Sequence, residues 1–276
     1  MTFDVIVGNP PYQDPDNERL PLWQLVFNKV IKSVKKDGYL CFVHPSNWRK
    51  PEHKLLKIFQ SYNLLYLEIH NSQDGQKVFG AGTRYDWYVL QKSNYLGNTT
   101  VVDEKGEVFD IDVSKMNFIP HFAFNTILSL IAKNGEETCE IIQSYSSYET
   151  RKKWMNPKEN NVFKYPCIHS IHAAYPGEEP IKWYSKNNNK GMFGKVKLIA
   201  GLAGCWNCLV DYNGEYGITH NCFGIKDTPE NCEKIFQAFH SDKFKELVNA
   251  IIWSGFAVDW RVFKFFKKDF WKYFLE

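Results

Sequence analysis

The chain has 276 residues, enough for two modest domains, and its 44% hydrophobic, 24% charged and 16% aromatic content excludes a disordered chain. A net charge of +3 demands no acidic partner by itself, and seven irregularly spaced cysteines fit a reducing compartment. No apolar run reaches the about 18 residues of a membrane span, and the N-terminus lacks a secretory signal, so the sequence reads as a soluble, intracellular protein of the cytoplasm.

FDVIVG (3–8) reads as a short buried strand, and it runs straight into Asn9-Pro10-Pro11-Tyr12. Residues 21–36 place Leu22, Leu25, Val26, Val30 and Val34 at helical spacing, with Asp37-Gly38 as the stop. YLCFVHP (39–45) is the next apolar strand, 51–61 a second helix with Pro51 in its first turn, and LLYLEIH (64–70) and YDWYVLQK (85–92) further strands. Alternating strand and helix predict a mostly parallel sheet with helical crossovers. The pattern changes near residues 93–120, giving a first domain over 1–95, a connector with short strands over 96–120, and a second domain over 121–276. In the second domain, 122–135 reads as a helix stopped by Gly135, and 185–191 as a loop. KVKLIAGL (195–202) and CLVDYNGEYGIT (208–219) read as strands, the latter a hairpin around Asn213-Gly214, and 230–253 as a helix or helix pair.

Two successive prolines fix φ and remove two backbone donors, so the carbonyls around them are free acceptors in a rigid turn. The Asn9 side chain adds another acceptor. An amino group held between two such acceptors has its hydrogens occupied, and its lone pair is drawn out of conjugation. Tyr12 offers a flat face for the ring that carries the amine. The end of a parallel strand is where α/β proteins place ligands.

Asn9-Pro10-Pro11-Tyr12 resembles the catalytic motif of S-adenosylmethionine-dependent amino-methyltransferases. The wider "GNPPYQ", followed by a helix and "GYLCFVHPSNWR" (38–49), is similar to the adenine-N6 DNA methyltransferases of restriction–modification systems, and most of all to the Eco57I-like group. The likeness is strong over 3–92, including "LLYLEIHNSQDGQKVFGAGTRYDWYVLQK", and weaker beyond 120. It implies an α/β fold: the C-terminal half of a Rossmann-like methyltransferase sheet, followed by a mixed α+β target-recognition domain. It implies that Asn9 and the Pro10 carbonyl accept from adenine N6, that Tyr12 stacks on a base flipped out of double-stranded DNA, and that the methyl group moves directly from S-adenosylmethionine. Other enzymes use this tetrapeptide on a protein glutamine or an RNA guanine, but more than 150 further residues favour a DNA-reading module.

The resemblance also implies a cofactor-binding half-sheet with a glycine-rich turn, which is expected to be missing here. KLIAGLAG (197–204) is the one candidate, and a hairpin is expected after it in place of the helix that a cradling turn needs. The expectation is a fragment, a truncated gene, or one subunit that needs a separate cofactor-binding subunit. The alternative from another class is a non-catalytic DNA-binding remnant that reads sequence and transfers nothing.

Cys205-x-x-Cys208, with Cys222 and Cys232, suits no common zinc spacing, so no metal is assigned. His44, His70 and His121 read as structural, and Asp74 and Lys77 as residues of a solvent-facing loop. Arg151, Lys152 and Lys153 form a loop-like basic knot suited to DNA phosphates. Phe263, Phe265, Phe266, Phe270 and Trp271 read as core with a solvated lysine edge.

Overall fold

A computed structural model describes residues 1–14, 16, 21–171, 179–253, 255 and 257–276. The chain divides into two compact units, Met1–Phe124 and Asn125–Glu276. Among the described residues, no helix is long and apolar enough to cross a membrane.

The first unit carries β1 (Phe3–Gly8), α1 (Leu22–Ser33), β2 (Val34–Pro45), α2 (Lys54–Ser61), β3 (Asn63–His70), α3 (Ser72–Phe79), β4 (Tyr85–Gln91), β5 (Thr99–Val102) and β6 (Val108–Ile111). Its six strands form one sheet in the order β1-β2-β4-β3-β5-β6. The sheet is mixed, which corrects the mostly parallel expectation. β1 with β2 and β3 with β5 are parallel, but β4 runs antiparallel to both of its neighbours. The α3 connection returns the chain from the end of β3 to the same end of the sheet, so β4 must run back down it. Residues 99–111, expected as connector strands, extend this sheet as β5 and β6.

One face of the sheet is the core. Trp23, Phe27 and Ile31 of α1 and Leu55, Leu56 and Phe59 of α2 pack on Leu40, Phe42, Leu64, Leu67, Tyr88 and Leu90. The expected α1 stripe is therefore rotated: Leu25 is exposed, Val26 and Val30 only flank the core, and Val34 already belongs to β2. β2 passes through Asp37-Gly38 in place of starting after it, with Asp37 at φ 61°. α2 begins after the Pro51 turn, capped by His53.

The opposite face stays open. Val5 lies beside Tyr39 and Val7 beside Cys41 in the parallel register. Val5 is 55% and Val7 74% exposed. β1 is thus an exposed edge strand and not the buried one its composition suggests, because nothing among the described residues covers that face and β1 pairs with β2 alone. A strand with parallel pairing is ordinarily covered on both sides.

The second unit follows α4 (Phe124–Leu130), which is shorter than the 122–135 expected; Gly135, at φ 90°, lies in the turn beyond it. It holds β7 (Glu140–Ile142), β8 (Met155–Asn156), β9 (Tyr165–Ser170), β10 (Ile181–Ser185), β11 (Lys197–Gly201), β12 (Cys208–Asp211), β13 (Gly217–Ile218) and β14 (Cys222–Lys226). The chain then forms α5 (Pro229–His240), α6 (Asp242–Val248) and α7 (Lys272–Leu275), so a helix pair fills most of 230–253. Two four-stranded sheets result, β13-β9-β10-β8 and β12-β11-β14-β7. The expected hairpin at Asn213-Gly214 does not form, because β12 and β13 join different sheets. The Asp211 carboxylate accepts from the backbone N–H groups of Glu215 and Tyr216, and that turn carries the chain from one sheet to the other. Phe263, Phe266, Phe270 and Trp271 are buried as expected, while Phe265 is only partly buried.

Candidate functional site

The Asn-Pro-Pro-Tyr turn leaves the sheet at the carboxyl end of β1, beside the parallel end of β2. Gly8 lies close under the Phe42 ring, where a Cβ would stand 3.2 Å from it. Pro10 is buried, while Asn9 and Pro11 are exposed. Tyr12 is half-buried and packs on the core. Its ring meets Phe79 edge-on at 5.9 Å, Phe79 meets Tyr85 at 4.9 Å, and Tyr85 stacks on His70 at 4.4 Å. The Tyr12 hydroxyl is buried without a partner among the described residues. Burial pushes its pKa up to about 12, helped by Tyr85 and Asp86, so Tyr12 stays neutral and has no general-base role.

Beside this turn lies a cavity of about 530 Å³ lined by Tyr12, Trp23, Gln24, Asn47, Lys50 and His53, among others. Asn9 and Pro10 do not line it, so the clamp atoms and the aromatic wall occupy neighbouring positions and not one pocket. Trp23 stacks on His44 at 4.3 Å. The His44 ring is fully buried: its Nδ1 donates to the Pro45 carbonyl, and its Nε2 accepts from the Tyr88 hydroxyl. Burial is the main reason that its pKa falls to about 3, so it is a neutral structural ring, as expected.

The turn Ser46–Arg49 after β2 supplies Asn47, which the sequence reading did not single out. Its side-chain oxygen is buried and has no partner among the described residues. The backbone around it is fixed by its neighbours. The Trp48 indole N–H and the Arg49 Nε both donate to one oxygen of Asp86, each at 2.8 Å. Arg49 donates further to the carbonyls of Ile119 and Pro120 and to Nδ1 of His121, which places His121 as structural too. Trp48, Arg49, Asp86 and His121 are all fully buried, so this is a buried charge network in which one Asp86 oxygen takes both donors and the other has no partner among the described residues. Local sequence does not reveal it, because its members are up to 72 residues apart.

Asp74 and Lys77 lie on α3 and not in a loop. Asn71 caps that helix by accepting from Gln73 and Asp74, a signal legible in "HNSQD". Gly75 cannot carry a side chain, since a Cβ would stand 2.0 Å from the Thr83 carbonyl, and Thr83 also lines the cavity.

In the second unit, Arg151 and Lys152 both pair with Glu149, and Lys153 is exposed. The four cysteines of the rejected zinc set are buried thiols; burial pushes Cys205 and Cys208 well up. Gly201–Gly204 close a hairpin between antiparallel β11 and β12, with the Gly201 N–H donating to Asn207 and the Asn207 N–H to Gly204. With those N–H groups spent and no helix following, these residues do not fit the phosphate- or carboxylate-cradling turn of a cofactor site.

Residues 1–79 match the model of the Eco57I restriction-modification methylase family, so the resemblance carried by the Asn9–Tyr12 stretch holds over that segment. Solved structures that match include the type IIL restriction-modification enzyme MmeI in complex with DNA, at 8% identity and TM-score 0.46, covering 85% of this chain and 42% of that one. The type IIG restriction endonuclease BpuSI matches at 9% identity and TM-score 0.38, covering 99% and 49%. A modification subunit of a putative type I restriction enzyme from Vibrio vulnificus YJ016 matches at 13% identity and TM-score 0.31, covering 37% and 25%. The chain spans less than half the length of each of these structures. No curated protein matches it.

Proposed function

We propose that this chain carries the catalytic strand and the DNA-reading part of a restriction–modification methyltransferase that modifies adenine N6 with S-adenosylmethionine as methyl donor. The observation that carries the reading is the Asn9–Tyr12 turn at the carboxyl end of parallel β1, within the segment that matches the methylase family. In this reading the Asn9 side chain and the Pro10 carbonyl accept from the amine and raise its nucleophilicity, while Tyr12 stacks on the extruded base. The first unit, which takes in the 96–120 segment through β5 and β6, acts in catalysis, and the second unit reads double-stranded DNA, with Arg151, Lys152 and Lys153 on its phosphates.

We assign binding of the methyl donor to a separate segment or subunit, because the glycine-rich candidate of this chain, Gly201–Gly204, closes a hairpin with its N–H groups spent. The open edge of β1 and the uncovered apolar face around Val5, Val7 and Tyr39 support that assignment, since a strand and helices of another body would bury both. The test is Asn9→Ala in enzyme reconstituted with that segment. Turnover should drop about 10²–10³-fold, the scale of deleting one preorganised hydrogen-bonding group, while DNA binding stays. Turnover within a factor of two of wild type would overturn the assignment.

A further inference from the structure

In the second unit β8 and β9 begin where β10 ends, and lysines flank that rim. The Lys186 N–H, just past β10, donates to the Trp154 carbonyl at the start of β8, and the Lys164 N–H, just before β9, donates to the Ser185 carbonyl. The loop after β10 is tied down as well, because the Lys190 N–H donates to the hydroxyl of fully buried Tyr148.

Aromatic rings hold the side chains. The Lys152 and Lys190 ammonium groups lie 6.0 and 5.6 Å from the centroid of one indole, Trp154, whose own N–H is fixed by the Ser147 carbonyl. Lys186 lies 5.0 Å from the Phe163 ring and Lys164 5.4 Å from Tyr165. Residues 149–165 and 185–191 carry seven cations against two carboxylates, Glu149 and Glu159. Glu149 is already engaged by Arg151 and Lys152. Lys164, Lys186 and Lys190 are exposed, with no ion pair to a carboxylate among the described residues. Five asparagines at 160, 161 and 187–189 add neutral donors along the same segments.

We propose that this rim is a phosphate-binding surface for duplex DNA, centred on Lys164, Lys186 and Lys190 and wider than the Arg151–Lys153 knot. Like charges held near one ring repel unless an anion sits among them, and cation–π contact fixes the stems without neutralising the heads. The rim offers ammonium groups and amides, and Val162 is its one exposed large apolar side chain, so a polyanion backbone suits it better than an apolar partner or a lipid surface. Lysines on phosphates set affinity and register, not sequence choice. The proposal rests on the DNA-modifying reading and deepens it.

The test uses the full chain and fluorescence anisotropy on several unrelated 30-base-pair duplexes across a salt series. Lys164→Gln, Lys186→Gln and Lys190→Gln together should lower the slope of log affinity against log salt by about 2–3, near 0.9 for each phosphate no longer neutralised. The drop should be equal on every duplex. The corresponding triple change to Arg should keep the wild-type slope, and Lys267→Gln with Lys268→Gln, on residues that face Glu136 and Glu137, should also leave it unchanged. A Gln triple variant with the full slope overturns this proposal and leaves the methyltransferase reading standing. A wild-type chain that binds no duplex in 50 mM salt overturns both. Equal binding of phosphatidylserine vesicles, abolished in the same variant, overturns the assignment to DNA.

Discussion

At Tyr12 the proposed stacking role can be separated from the structural one. The ring packs on the core and edge-on to Phe79, but its hydroxyl is buried without a partner. An unsatisfied buried polar group costs about 1–3 kcal/mol, so Tyr12→Phe should leave stability unchanged or raise it by up to about 1 kcal/mol, the hydroxyl being part of a half-buried side chain. Tyr12→Ala removes the ring. Full burial would make that about 3–5 kcal/mol, and half burial brings it to roughly 2 kcal/mol. Catalysis should rank the variants in the same order for a different reason. Phe keeps the flat face and should turn over like Tyr, while Ala forfeits about 1–3 kcal/mol of base stacking, a 5- to 150-fold loss. Urea unfolding of the chain gives the first set of numbers, and methylation by the reconstituted enzyme gives the second. Tyr12→Phe losing more than tenfold in turnover at unchanged stability would show that the hydroxyl acts in the reaction, which refutes a purely stacking role. A change in sequence preference for Tyr12→Ala at unchanged turnover would refute it as well.

Asp86→Asn should cost about 3–5 kcal/mol in urea unfolding, because Arg49 is then left buried without its counter-ion; replacing Arg49 and Asp86 together by Met and Leu should recover much of the loss. His44 titrates near 3 in the fold against ~6.5 when unfolded. The unfolded chain therefore binds the extra proton, and stability should fall by about 1.4 kcal/mol for each pH unit between ~6.5 and about 3, and no further from this group below that. His44→Gln should flatten that limb of the stability–pH curve, and an unchanged slope would show that His44 is not the group responsible. Calorimetry on the purified chain should detect no micromolar binding of S-adenosylmethionine; such binding would point to a donor site that the closed hairpin at Gly201–Gly204 does not supply.

Strands β1 to β4 of the first unit were legible because each contains a compact apolar run, and the Asn9–Tyr12 turn stood out because two prolines beside an amide and a ring are rare chemistry. Strand direction was not legible. Nothing in YDWYVLQK distinguishes a parallel neighbour from the antiparallel β4 that forms, because direction follows from how many times the chain crosses the sheet. The rotated face of α1 was missed because Trp23, Phe27 and Ile31 and the Leu25–Val26–Val30 set are both apolar at helical spacing, and only the sheet selects between them. Asn47 gives no sequence signal at all. It gains meaning from Trp48 and Arg49, which are anchored by an aspartate 37 residues away. The lysine rim was half visible, as the knot at 151–153 and a polar loop at 185–191, but only the pairing of β8, β9 and β10 brings the two together.

The bare side of the first sheet has a practical consequence for handling the protein. β1 presents unpaired backbone groups next to exposed Phe3, Val5 and Val7, which is the arrangement that recruits a like strand from a second molecule. At high concentration, self-association through this edge would compete with any legitimate occupant and would be mistaken for a native oligomer. Light scattering should show particle size growing with concentration, and Val5→Lys with Val7→Lys should suppress the growth without unfolding the chain, since both side chains already face water.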